Sequence, residues 1–304
     1  MKKKVILDVD TGIDDAVAIA MALYDSKIAV KLITCIAGNL SVNEVTKNTL
    51  NFMHAINKTN YTVATGAKKP LFREKDNSVQ AHGKKGLGHF KFEPHDLKPC
   101  KKVASEKMYE VLSKSKTPID ILALGPLTNI AQLLLDHPDI KEKIGLILVS
   151  GGLLSDHKYS KNRYLGFNVA QDPESAKIVF KSGIKIVITP SDMGHTAFLT
   201  PEEVIKTKET NKTGEMLEFI FRSYKDRHVK VGIATHDPCA VVSYAHPEYF
   251  TWDEMYVHIH FLESANTGVI DFDVDSEKPN MMVATGVNIP KFKKLYFKLL
   301  KKMP

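Results

Sequence analysis

Apolar residues along the chain fall into two periodicities. Short apolar blocks occupy residues 5–7, 30–37, 61–64, 119–124, 144–149 and 184–188, and each is followed within two positions by glycine, proline or a carboxylate. Blocks of this length, closed by a turn residue, predict buried parallel strands. Between them lie helix start signals. Ser41 and Glu44 have capping-box spacing for a helix to about residue 56. Asp172-Pro173-Glu174 and Thr200-Pro201-Glu202-Glu203 each place a cap before a proline at the first helical position. Further helices are expected from Asp14 through Leu23, around 108–112, after Asn129 to about 136, over 213–229 and over 291–301. Residues 256–262 and 269–274 alternate instead, as antiparallel edge strands do. The pattern predicts an α/β fold: an open, mostly parallel, doubly wound (Rossmann-like) sheet with helices on both faces and a small antiparallel edge. One domain, residues 1–304, is expected, since neither repeat nor linker interrupts it. Residues 66–99 show little periodicity and carry Gly66, Gly83, Gly86 and Gly88; a loop of this length in a compact domain is usually functional or mobile.

Composition narrows the class without fixing a chemistry. A chain of 304 residues can bury one large core. The net charge of +7 comes from lysines scattered along the chain, as at 98–102 and 293–302, with no aromatic-interleaved basic stripe, so no nucleic-acid polymer is expected as partner. No apolar run approaches a membrane span, and the basic start leads into a strand rather than a signal peptide, so no membrane is expected either. Three widely spaced cysteines, Cys35, Cys100 and Cys239, suit free thiols in a reducing compartment, the cytoplasm.

The densest chemistry is Asp8-Val9-Asp10-Thr11-Gly12-Ile13-Asp14-Asp15, at the carboxyl end of the first strand. An N-cap accounts for one of these acids, Asp14 or Asp15. Four carboxylates within eight residues, at the sheet end where α/β proteins bind ligands, are better explained by a cation among them. Oxygen donors without thiolates or imidazoles point to a hard ion, Ca2+ or Mg2+. Other strand ends add polar groups. Asn39, beside Gly38, has a turn role as its alternative reading. At Leu124 only the backbone carbonyl could ligate a cation. Asp237, before Pro238, reads locally as well for a helix cap as for a ligand.

Asp8 to Ala16 resembles the amino-terminal signature of the inosine–uridine-preferring nucleoside hydrolases, and Thr235-His236-Asp237-Pro238 matches another of the family's motifs. Matches extend over nearly the whole chain, closest to the broad-specificity bacterial ribonucleoside hydrolases. The resemblance implies hydrolysis of a ribonucleoside N-glycosidic bond. It implies Ca2+ held by Asp10, Asp15, the Leu124 carbonyl and Asp237. Asp10 would be general base on the attacking water, with Asn39 beside it and His236 as acid to the departing base. Asp14 and Asn168 would bind the ribose, while His82, Tyr224 and Arg227 would lie near the nucleobase. A homotetramer or homodimer is implied as well.

One stretch departs from the pattern. Before Phe167-Asn168 the family carries a glutamate; here Gly166 stands in its place, and Ser160, with Asn162 nearby, replaces a family asparagine. Both missing groups hold the sugar's 5′ end. With Lys158, Lys161 and Arg163 close in sequence, a 5′-modified or 5′-phosphorylated nucleoside becomes an alternative substrate, against the plainer reading of solvated loop charges. Two other classes compete. One is a nucleoside- or ribose-binding protein of the same fold with weak turnover. The other is a haloacid-dehalogenase-type phosphatase using Asp8, whose motif Gly12 does not fit.

Overall fold

The computed structural model describes residues 2–74, 85–154, 166–224, 232–262, 267–273 and 278–304. The first strand, β1 (Lys3–Val9), shows how the sheet is built. Val5, Leu7 and Val9 face one buried layer and Ile6 the other, as the two-residue period of a strand requires. With β2 (Ile28–Cys35), β3 (Val63–Thr65), β4 (Ile119–Ala123), β5 (Ile144–Ser150) and β6 (Ile186–Thr189) it forms a parallel sheet. Three more strands, β7 (Phe250–Leu262), β8 (Thr267–Asp273) and β9 (Met281–Val287), bring the sheet to nine among the described residues, in the order β3-β2-β1-β4-β5-β6-β9-β7-β8. β9 lies parallel to β6, while β7 runs antiparallel to both β9 and β8. The expected antiparallel edge is therefore present. β9, which the apolar pattern did not predict, joins it to the parallel sheet.

The helices cover both faces. On one side lie α1 (Ile13–Tyr24), α2 (Val42–Ala55), α7 (Ser191–Thr196), α9 (Lys212–Phe221), α10 (His236–Ala245) and α11 (Ile289–Leu300). On the other lie α3 (Ala104–Ser113), α4 (Thr128–Asp136), α5 (Phe167–Gln171) and α6 (Pro173–Phe180). Helix α8 (Pro201–Lys208) starts at the predicted cap, Thr200, which forms a reciprocal box with Glu203. Ser41 caps α2 only in part: its hydroxyl accepts from the Glu44 N–H at 3.4 Å and donates to Glu44 Oε2, so the acid does not reach back to the backbone. Asp172 caps α6 through the Ser175 N–H. The helix expected over 213–229 ends at Phe221.

Register sets the site. Asp8 pairs with Ala123, Val9 with Cys35, Ala123 with Val149 and Ser150 with Thr189, so the carboxyl ends of five strands finish level. The strand order reverses between β1 and β4. Such a switch point opens a crevice at the carboxyl ends of the strands.

Candidate active site

Asp10 follows β1 and is wedged between two glycines. A Cβ on Gly38 would lie 2.1 Å from Asp10 Oδ2, and one on Gly125 3.1 Å from Oδ1, so the loops after β2 and β4 close on the carboxylate only because both lack side chains. The Asn39 N–H donates to Asp10 Oδ2 at 2.8 Å, and Asn39 Nδ2 bridges the Asp10 carbonyl and Asp15 Oδ2. Asp15 also does the work of a cap. Its Oδ2 accepts from the Gly12 N–H and its Oδ1 from the Asp10 N–H, which folds the loop over the start of α1.

Asp237 arrives from the opposite end of the sequence. Helix α10 begins at His236 with Thr235 in the cap position, so Asp237 is not the cap; its Oδ1 instead accepts from Ser150 Oγ at the end of β5. Carboxylate oxygens of Asp14, Asp15 and Asp237, all buried, lie within 4.8 Å of one another. Burial, then the nearby charges of Asp14 and Asp15, push the Asp237 carboxyl well above its ordinary range; burial and Asp15 do the same to Asp10. Crowded, buried acids facing two helix N-termini form a donor set that fits a hard cation. The geometry places Asp14 in this group alongside Asp15 and Asp237, with Asp10 coupled to it electrostatically.

Asp8 stays outside. It faces the α4 side, fully buried, where its Oδ1 accepts from Thr34 Oγ1 at 2.6 Å and Asn129 Nδ2 at 2.8 Å. Burial raises its pKa to about 7. The expectation that four acids of the first segment converge is thus corrected to three, joined by Asp237. A carboxylate sealed in this way also cannot accept a phosphoryl group, which removes the phosphatase alternative.

Asn168, on α5, donates through Nδ2 to the Leu124 carbonyl at 2.6 Å and to the Ser150 carbonyl at 3.0 Å, which ties the β4 and β5 ends together. A Cβ on Gly166 would lie 2.2 Å from the Gly152 nitrogen, so the backbone here leaves no room for a side chain. His236 rests in a cradle made by α7. Its Nδ1 lies 3.1 Å from the Ser191 carbonyl, which makes Nδ1–H the donor. The His195 ring meets the His236 ring edge-on at 4.6 Å. Tyr224 follows α9, half-buried against the α1 side of the core. His82 and Arg227, with Lys158, Ser160, Lys161, Asn162 and Arg163, lie outside the described residues. Ser150, Asn129 and α7 were missed from the sequence; their one signal was a polar residue at or just after a strand end.

An open α/β sheet with an acid-rich crevice at its switch point, and a histidine next to one of the acids, defines an α/β protein built to bind a ligand at the strand ends. Comparison with known proteins narrows it. The family described as inosine-uridine preferring nucleoside hydrolase matches residues 5–294, and the chain belongs to that family. It is 35% identical, over 96% of both chains, to the non-specific ribonucleoside hydrolase RihC of Escherichia coli (strain SMS-3-5 / SECEC). Among solved structures it resembles the purine-preferring ribonucleoside hydrolase from Gardnerella vaginalis, with a TM-score of 0.88 and 27% identity over 99% of this chain and 98% of that one. A plant nucleoside hydrolase, PpNRh1, superposes with a TM-score of 0.88 at 26% identity, covering 99% of each chain.

Proposed function

We propose that this enzyme hydrolyses the N-glycosidic bond of ribonucleosides, releasing free base and ribose, with Ca2+ in the carboxylate group. The observation that carries the reading is the convergence of Asp14, Asp15 and Asp237 at the switch point of a chain whose relatives are named ribonucleoside hydrolases. Asp10, Asp15, Asp237 and the Leu124 carbonyl would hold the ion, and the ion would supply charge that grips sugar hydroxyls and lowers the pKa of a bound water. Asp10, held by Asn39, takes the proton of the attacking water. The surrounding carboxylates stabilise the cationic, oxocarbenium-like sugar as the bond breaks. Asp14 and Asn168 bind ribose hydroxyls. His236, oriented by the Nδ1–H bond to the Ser191 carbonyl, acts in its doubly protonated form: it gives the Nε2 proton to the leaving base and is left as the neutral Nδ1–H imidazole. His82, Tyr224 and Arg227 would contact the base, and self-association as a tetramer or dimer accompanies the reading.

Ribose release from inosine and uridine, assayed with chelator and after calcium is restored, tests this. Calcium-dependent ribose is the expected result. Tight nucleoside binding without ribose would convert the protein into a binding module. A second arm concerns the sugar's 5′ end, where the Gly166–Gly152 contact leaves no space for a carboxylate. Tolerance of inosine 5′-monophosphate, or of 5′-deoxyinosine, at rates near those of inosine is expected if that end is unrecognised. Strong preference for the free 5′ hydroxyl refutes it.

A further inference from the structure

Helices α1 and α10 share a feature that the chemistry above does not use. Both start at the carboxylate group, α1 with Asp14 and Asp15 and α10 with Asp237, and they pack along each other. They therefore run parallel for roughly 15–18 Å, the length of helices of this size. At their far ends they meet again. Asp25, the residue that ends α1, accepts from His246 Nε2 at 2.7 Å, and His246 is the residue that ends α10. Both partners are buried.

Each half of this clasp is itself fixed. Asp25 Oδ1 accepts from the Lys27 N–H at 2.8 Å, and the Asp25 N–H closes α1 on the Met21 carbonyl. The His246 N–H donates to the Val242 carbonyl at 2.7 Å, and its ring stacks on Tyr249 at 5.0 Å. Both helices carry several small side chains, Ala16, Ala18, Ala20 and Ala22 on α1 and Ala240, Ser243 and Ala245 on α10, which project little into a neighbouring helix's grooves. Parallel helix dipoles and three crowded carboxylates push the two N-termini apart.

We propose that Asp25 and His246 are a positioning pair for the cation site: their hydrogen bond fixes the axial register of α1 against α10 and so holds the ligand Asp15, with Asp14 beside it, opposite Asp237. Oxygen ligands to a hard cation span only 2.3–2.6 Å, so a slide of about 1 Å between two stiff helices spoils the group. The inference rests on the cation reading given above.

The test is calorimetric titration of calcium into purified, folded wild-type, Asp25→Ala, Asp25→Asn and Tyr244→Phe proteins, with amide hydrogen exchange of α1 and α10 in cation-free samples. Asp25→Ala should weaken calcium binding about tenfold, the lower end of losses seen when groups supporting a ligand are removed. Asp25→Asn keeps an acceptor for His246 Nε2 and should recover most of that loss. Tyr244→Phe removes another hydrogen bond of the same helix, to Asp120, and should leave calcium affinity unchanged. In Asp25→Ala alone, exchange should rise in the first turns of both helices, far from the substitution. Equal calcium affinity in wild type and Asp25→Ala, or equal losses in Asp25→Ala and Tyr244→Phe, overturns the proposal. A wild-type protein that binds no calcium overturns the cation reading instead; the exchange pattern then decides the clasp, and no change in the first turns refutes it.

Discussion

Asp8 and Asp10 stand two residues apart in surroundings that share little. Strand alternation would put both on one side of the sheet, but β1 ends at Val9, and the turn through Thr11 and Gly12 carries Asp10 into the crevice while Asp8 remains under α4. The acid-rich segment was legible as chemistry, since few other reasons gather so many carboxylates at a strand end. Which acid turns away was not, because that depends on the residue at which the strand stops. Burial acts on the thiols in the same way. Cys35 and Cys239 are fully buried, with pKa values pushed up to about 12, so their thiolate fraction at pH 8 is on the order of 10⁻⁴. Titration with a disulfide reagent at pH 8 should therefore report one fast thiol, the partly exposed Cys100, and two more only after denaturation. Three fast thiols in the native protein would contradict this.

At the scale of elements, the caps were legible and the last strand was not. Asp172-Pro173 reads as a helix start from sequence. The structure adds that Asp172 is fully buried and accepts from the Ser175 hydroxyl, Thr128 Oγ1 and the Leu71 N–H as well as the Ser175 N–H, so one side chain joins α6, α4 and the loop after β3. Asp172→Ala removes the cap and strands buried donors, and should cost about 2–4 kcal/mol in urea unfolding. A loss below 1 kcal/mol, on the scale of an exposed cap in a peptide, would show that water replaces the carboxylate. β9, Met-Met-Val-Ala-Thr-Gly-Val, contains no long apolar block, and its Gly286 faces Thr251 beside a register shift in β7. Its strand state comes from neighbours on both sides, which local pattern does not carry.

Across the whole molecule, the level strand ends concentrate negative charge in one crevice, and pH should reveal it. A carboxyl whose folded pKa exceeds its unfolded value contributes stability below the unfolded value and loses it as pH rises through the folded one. For Asp8 that window runs from 3.8 to about 7, and Asp10 and Asp237 shift in the same direction. Cation-free protein should thus lose thermal stability as pH rises across this range. Calcium should raise the melting temperature, most at the alkaline end, where fewer protons must leave the ligands. A calcium-induced shift independent of pH would argue against ligation by these acids.

β9 has one more consequence. It is the final strand in chain order, yet it lies inside the sheet, between β6 and β7. Until residue 287 has been synthesised, β6 keeps a bare flank and the β7–β8 hairpin has nowhere to dock. Two unsatisfied ladders then coexist on one nascent chain, each a template for a wrong partner. The hazard of misassembly falls during translation, and ends when seven late residues slot into place.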